Sequence, residues 1–70
     1  MLYGGAVKVG ELFDRLHELG WIEARVRGSH HVFTHPRGLR PLPVPVHGKD
    51  IPDSVAKAIL RQAARATKEA

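Results

Sequence analysis

Hydrophobic positions change their spacing twice along the chain. Val9, Leu12, Phe13, Leu16 and Leu19 fall at the i, i+3, i+4, i+7 intervals of a helix with one apolar stripe, while Glu11, Asp14, Arg15 and Glu18 take the other side. This predicts a first helix from residue 9 or 10 to 19. Gly20 ends it, because a left-handed helix terminus favours a residue without Cβ. From Trp21 the interval drops to two: Ile22, Ala24 and Val26 alternate with Glu23, Arg25 and Arg27, which predicts a strand with a buried aliphatic face and arginines on its open face. A second extended run, 29 to 34 or 35, follows Gly28, and Pro36-Arg37-Gly38 reads as a turn. The third strand runs from 39 or 40 to 46. Its prolines, Pro43 and Pro45, are two apart, so both missing N–H groups lie on one side, as a sheet edge tolerates.

The second helix opens after His47-Gly48-Lys49, with Asp50 as N-cap, Pro52 in the first turn and Asp53 adding negative charge near the positive helix end. It extends to about residue 66, with Ile51, Val55, Ala58, Ile59, Gln62 and Ala63 turned inward. The order is therefore α-β-β-β-α. A three-stranded antiparallel sheet with both helices on one face is an α+β two-layer sandwich, the topology also used by double-stranded-RNA-binding domains. Residues 1–70 read as one domain with a core from about 9 to 66. No repeat or linker interrupts it, and only the first few and the last three or four residues read as disordered.

Length and composition narrow what such a domain does. A chain of 70 residues buries only roughly 60–65% of its unfolded surface, which leaves no room for a deep cofactor cavity and puts function on the surface. The absence of cysteine excludes a disulfide framework, a thiolate nucleophile and thiolate-bound zinc. The longest apolar run, Ala58-Ile59-Leu60, is far below the ~20 residues that span a bilayer, and the N-terminus lacks the order of a signal peptide. Both observations point to a cytoplasmic protein without a membrane partner.

The net charge of +4 is unevenly distributed. Residues 24–49 hold Arg25, Arg27, Arg37, Arg40 and Lys49 and no acid, together with His30, His31, His35 and His47. Such a stretch suits a polyanion or an acidic protein partner, and its bland alternative is a solvated basic face.

Within it stands Gly28-Ser29-His30-His31-Val32-Phe33. Successive strand side chains face opposite ways, so if Phe33 anchors the core, His31 joins it inside and His30 projects outward, near Arg25 and Arg27 on the neighbouring strand. This register assumes no bulge between Gly28 and Phe33. A free imidazole titrates near ~6.5 and exchanges protons at neutral pH, which makes His30 a candidate general acid or base; otherwise it is a surface histidine without a task. His31 reads as structural, and His17, on a helix flank, has no assigned role. A shared metal ion is disfavoured, since His31 and His35 lie ~13 Å apart along an extended strand and a pairing with His47 needs a geometry the spacing does not predict. A Ser29–His30 couple is disfavoured because strand neighbours face apart.

Several motifs occur in order: Glu11-Leu12 and Leu19-Gly20-Trp21, then Arg27-Gly28-Ser29-His30-His31, then Val44-Pro45-Val46-His47-Gly48-Lys49-Asp50-Ile51, then Ile59-Leu60-Arg61-Gln62-Ala63. Together they resemble the HicA family of toxin ribonucleases over about residues 9–64. The resemblance implies an mRNA interferase that cleaves transcripts and is held inactive by a HicB-type antitoxin, with His30 as the catalytic residue. It implies no metal and no small-molecule cofactor. On this reading His30 either deprotonates a ribose 2′-hydroxyl or protonates the leaving oxygen, Arg25, Arg27, Arg37 and Lys49 meet phosphate, and Gly28 and Ser29 form the supporting turn. Two rival readings share the basic face: a non-catalytic RNA-binding module of the same fold, and a structural protein that binds an acidic partner.

Overall fold

A computed structural model describes residues 5–69. The chain forms β1 (Ala6–Lys8), α1 (Val9–Glu18), β2 (Ile22–Arg27), β3 (His30–Thr34), β4 (Leu42–Pro45), β5 (Asp50–Pro52) and α2 (Asp53–Glu69). Strands β2, β3 and β4 make an antiparallel sheet in that order, and β1 pairs with β5 in a second, two-stranded sheet. The fold is α+β, with the expected three-stranded sheet and two helices. Among the described residues no helix is long and apolar enough to cross a membrane.

The core is one cluster. Leu12 and Leu16 of α1 and Ala56, Ile59 and Ala63 of α2 bury themselves with Phe33 of β3 and with Leu42 and Val44 of β4, so both helices cover the same sheet face. Phe13 adds an edge-on contact to Phe33, ring centroids 5.0 Å apart. Helix α1 ends as its sequence predicts. Gly20 sits at φ +96°, its N–H donates to the His17 carbonyl and the Trp21 N–H to the Leu16 carbonyl, each at 2.9 Å, the paired bonds of a Schellman terminus. Trp21 then folds into the core beside Leu16, although its indole N–H finds no acceptor among the described residues.

The small sheet corrects the expected start of the second helix. Asp50 is not an N-cap, and Pro52 is not in the first turn: Asp50, Ile51 and Pro52 pair with Lys8, Val7 and Ala6, and the helix begins at Asp53. Extended pairing holds these residues out of helical geometry, and it places Asp50 directly opposite Lys8. Both helices start from this sheet. The Val9 N–H donates to the Lys49 carbonyl at 2.9 Å and the Asp53 N–H to the Gly5 carbonyl at 3.0 Å, so each helix start is satisfied from across the sheet rather than by a capping side chain. At its other end α2 continues past residue 66, because Arg37 donates to the Thr67 carbonyl at 2.9 Å and the Thr67 hydroxyl to the Ala64 carbonyl. Ala58 and Gln62 face solvent, and the inward row is Ala56, Ile59 and Ala63. Expectations about residues 1–4 and 70 lie outside the described residues.

Strand β2 departs furthest from its pattern. All six of its residues are exposed, Ile22 and Val26 at 55% and 53%, so the helices cover neither face of it. A register shift between Glu23 and Arg25 breaks the alternation. Glu23 lies opposite Phe33 and Val26 opposite His31, while Ile22, Arg25 and Arg27 lie opposite Thr34, Val32 and His30. The bulge thus turns Glu23 to the helix side and Ile22 to the open side, the reverse of the expected arrangement.

Candidate active site

The residues from Gly28 to His30 owe their arrangement to a two-residue hairpin. Arg27 and His30 are the last paired residues of β2 and β3, and only Gly28 and Ser29 join them. Gly28 has φ +59° and Ser29 does not have positive φ, which is the pattern of a type II′ turn with glycine first. A Cβ on Gly28 would meet nothing within 4 Å. The glycine is thus required by backbone conformation and not by space.

Downstream of this turn β3 is regular, so the alternation reads true. Phe33 is fully buried, and His31 turns to the same side, where its ring lies 5.4 Å from that of Phe13 and its Nδ1 bonds the Glu23 carboxylate. His30 points to the other side, exposed, directly opposite Arg27 on β2 and Pro45 on β4. Arg25 lies two pairs further along, opposite Val32. Cross-strand partners share a face, so His30, Arg25 and Arg27 stand together on the open side. The nearest acid of β2, Glu23, is on the other side with His31. An imidazole flanked by two guanidinium groups, with no carboxylate in the same ladder positions, is able to hold a phosphodiester and exchange a proton with it.

Two proposed phosphate contacts lie elsewhere. Arg37 follows the opposite end of β3, where its guanidinium is engaged by the Thr67 carbonyl. Lys49 is exposed in the turn before β5, and its carbonyl is taken by Val9. The structure therefore joins Arg25 and Arg27 to His30, and it does not bring Arg37 to them. Among the described residues no group of three or more His, Cys, Asp or Glu side chains is placed to hold a metal ion.

A profile described as the HicA toxin of bacterial toxin-antitoxin matches residues 10–64, most of the chain. The chain belongs to the HicA toxin family. A comparison with curated proteins returns no match. The HicA match spans α1, the three-stranded sheet, β5 and most of α2, and it begins after β1. Every residue of the His30 cluster falls inside it. One further residue of this HicA chain, His47, lies exposed two residues past Pro45, the partner of His30, and its motif assigned it no role. The signal was present in the alternation of buried Leu42 and Val44 with Pro43 and Pro45, which carried two residues further reaches His47.

Proposed function

We propose that this HicA toxin is an endoribonuclease, acting as a single domain in the cytoplasm, that cleaves mRNA with His30 as a proton-transferring catalytic residue. The observation that carries the reading is the pairing of His30 with Arg27 on the open sheet face, with Arg25 beside it and Glu23 turned away. RNA laid along this face meets guanidinium groups suited to phosphate, and its own 2′-hydroxyl supplies the nucleophile. Arg25 and Arg27 neutralise charge as it builds at phosphorus. A HicB-type antitoxin that covers His30 and the arginines inhibits by blocking RNA access, and acidic residues on it speed association.

The test is His30→Ala in purified protein. Cleavage of RNA is expected to fall by about 10²- to 10⁴-fold, while the thermal unfolding midpoint and RNA affinity stay near those of the parent, because His30 is exposed. Cleavage at the parental rate would overturn the assignment. A parent that binds RNA at low salt and never cuts it would favour the RNA-binding module instead.

A further inference from the structure

His47 has no part in the reading above, yet it follows closely on the strand that holds Pro45 opposite His30. Leu42 and Val44 are buried, Val46 packs against the same core, and Pro43 and Pro45 lie opposite Val32 and His30. The pairing persists beyond the last residue of β4, since the Val46 N–H donates to the Ser29 carbonyl at 2.7 Å. His47 comes next, exposed and on the Pro45 side by the two-residue period. A ladder continued one residue past that bond makes it the diagonal neighbour of His30, a position about 7–8 Å away between paired antiparallel strands. Two imidazoles so spaced are able to bracket one phosphodiester, each within a hydrogen bond of ~3 Å of oxygens on opposite sides of phosphorus.

A hollow of about 360 Å³ adjoins this position, lined by Pro45, His47, Asp50, Ile51, Pro52 and Val55. It begins at the residue opposite His30 and has mostly apolar walls, which suits a nucleoside next to the scissile phosphate. The neighbouring charges differ at the two histidines. Arg27 stands opposite His30, and Asp50 shares the lining with His47.

We propose that His47 is a second catalytic residue, the general acid for the leaving 5′-oxygen, with His30 as the base. This rests on the ribonuclease reading and deepens it. Neutral His30 takes the proton of the 2′-hydroxyl as that oxygen forms a bond to phosphorus. The bond from phosphorus to the 5′-oxygen breaks, its electron pair stays on oxygen, and the His47 imidazolium donates its proton there. One product ends in a 2′,3′-cyclic phosphate and the other begins with a 5′-hydroxyl. Exchange with water returns a proton to His47 and removes one from His30.

The role is tested with RNA whose scissile 5′-oxygen is replaced by sulfur, because a thiolate leaves without being protonated. His47→Ala and His47→Gln are expected to lower cleavage of ordinary RNA by about 10²- to 10⁴-fold and to recover most of that loss on the sulfur-substituted RNA. His30→Ala is expected to stay slow on both. Parental cleavage of ordinary RNA by the His47 variants, or a loss that the sulfur substrate does not repair, would overturn the assignment. A parent enzyme that cuts neither RNA would instead overturn the ribonuclease reading itself.

Discussion

At the Thr34 end of β3 a glycine, a histidine and an arginine are locked together; at the His30 end the same three residue types lie side by side without being tied. His35 accepts the Arg37 N–H on Nδ1 at 3.2 Å and reaches the Leu19 carbonyl through Nε2 at 3.0 Å, so both ring nitrogens are used and the proton is on Nε2. Its ring meets Trp21 edge-on, centroids 5.2 Å apart. Gly20 is packed so closely that a Cβ would lie 2.5 Å from His35 Nε2. Arg37 ties the turn to the end of α2. The His30 imidazole, by contrast, has no hydrogen-bond partner among the described residues, and Gly28 has open space around it. An imidazole with both nitrogens occupied serves the fold, whereas one with both free is available to a substrate.

Substitutions at matched positions break or sharpen this contrast. The largest effect is the activity loss of His30→Ala, equivalent to about 3–5 kcal/mol in the barrier with no accompanying loss of stability. Next comes Gly20→Ala, expected to destabilise by about 2–4 kcal/mol in chemical denaturation, since it adds strain at φ +96° to a collision with the His35 ring. In a double-mutant cycle, His35→Ala removes that collision, so the two losses should sum to more than the double variant shows; strict additivity would mean that the two residues do not press on each other. Gly28→Ala carries only the backbone term, about 1–2 kcal/mol, and a cost equal to that of Gly20→Ala would erase the distinction between the two ends. The smallest change is Arg37→Ala, about 0.5–1.5 kcal/mol of stability, with RNA affinity less affected than in Arg27→Ala. Equal losses of affinity in filter binding would return Arg37 to the RNA surface.

The legibility of the sequence follows the length and regularity of each element. Helix α1 and its glycine stop were readable because five apolar positions repeat over nearly three turns and Gly20 marks the end. His30 and His31 were readable because β3 is free of bulges from Gly28 to Phe33, so a single anchor, Phe33, sets the facing of every neighbour. Strand β2 was misread at Ile22 and Glu23, because one extra residue between Glu23 and Arg25 reverses the phase without leaving a mark in composition. The short β1–β5 sheet was invisible for a different reason. Three residues carry no period, and Asp50 followed by Pro52 has the local chemistry of a helix start until pairing with Ala6–Lys8 overrides it. Arg37 looked like one more cation of an acid-free stretch. Its engagement with Thr67 depends on a contact across thirty positions of sequence.

The prolines of β4 also limit what the sheet is able to join. With no N–H at Pro43 or Pro45, the outer edge of β4 offers acceptors but no donors at those positions, whereas β2 contains no proline and keeps the N–H groups that point to its outer edge. The two edges of the sheet are therefore unequal as hydrogen-bonding surfaces. A strand added beside β4 forgoes two ladder hydrogen bonds, and one added beside β2 meets no such loss from proline.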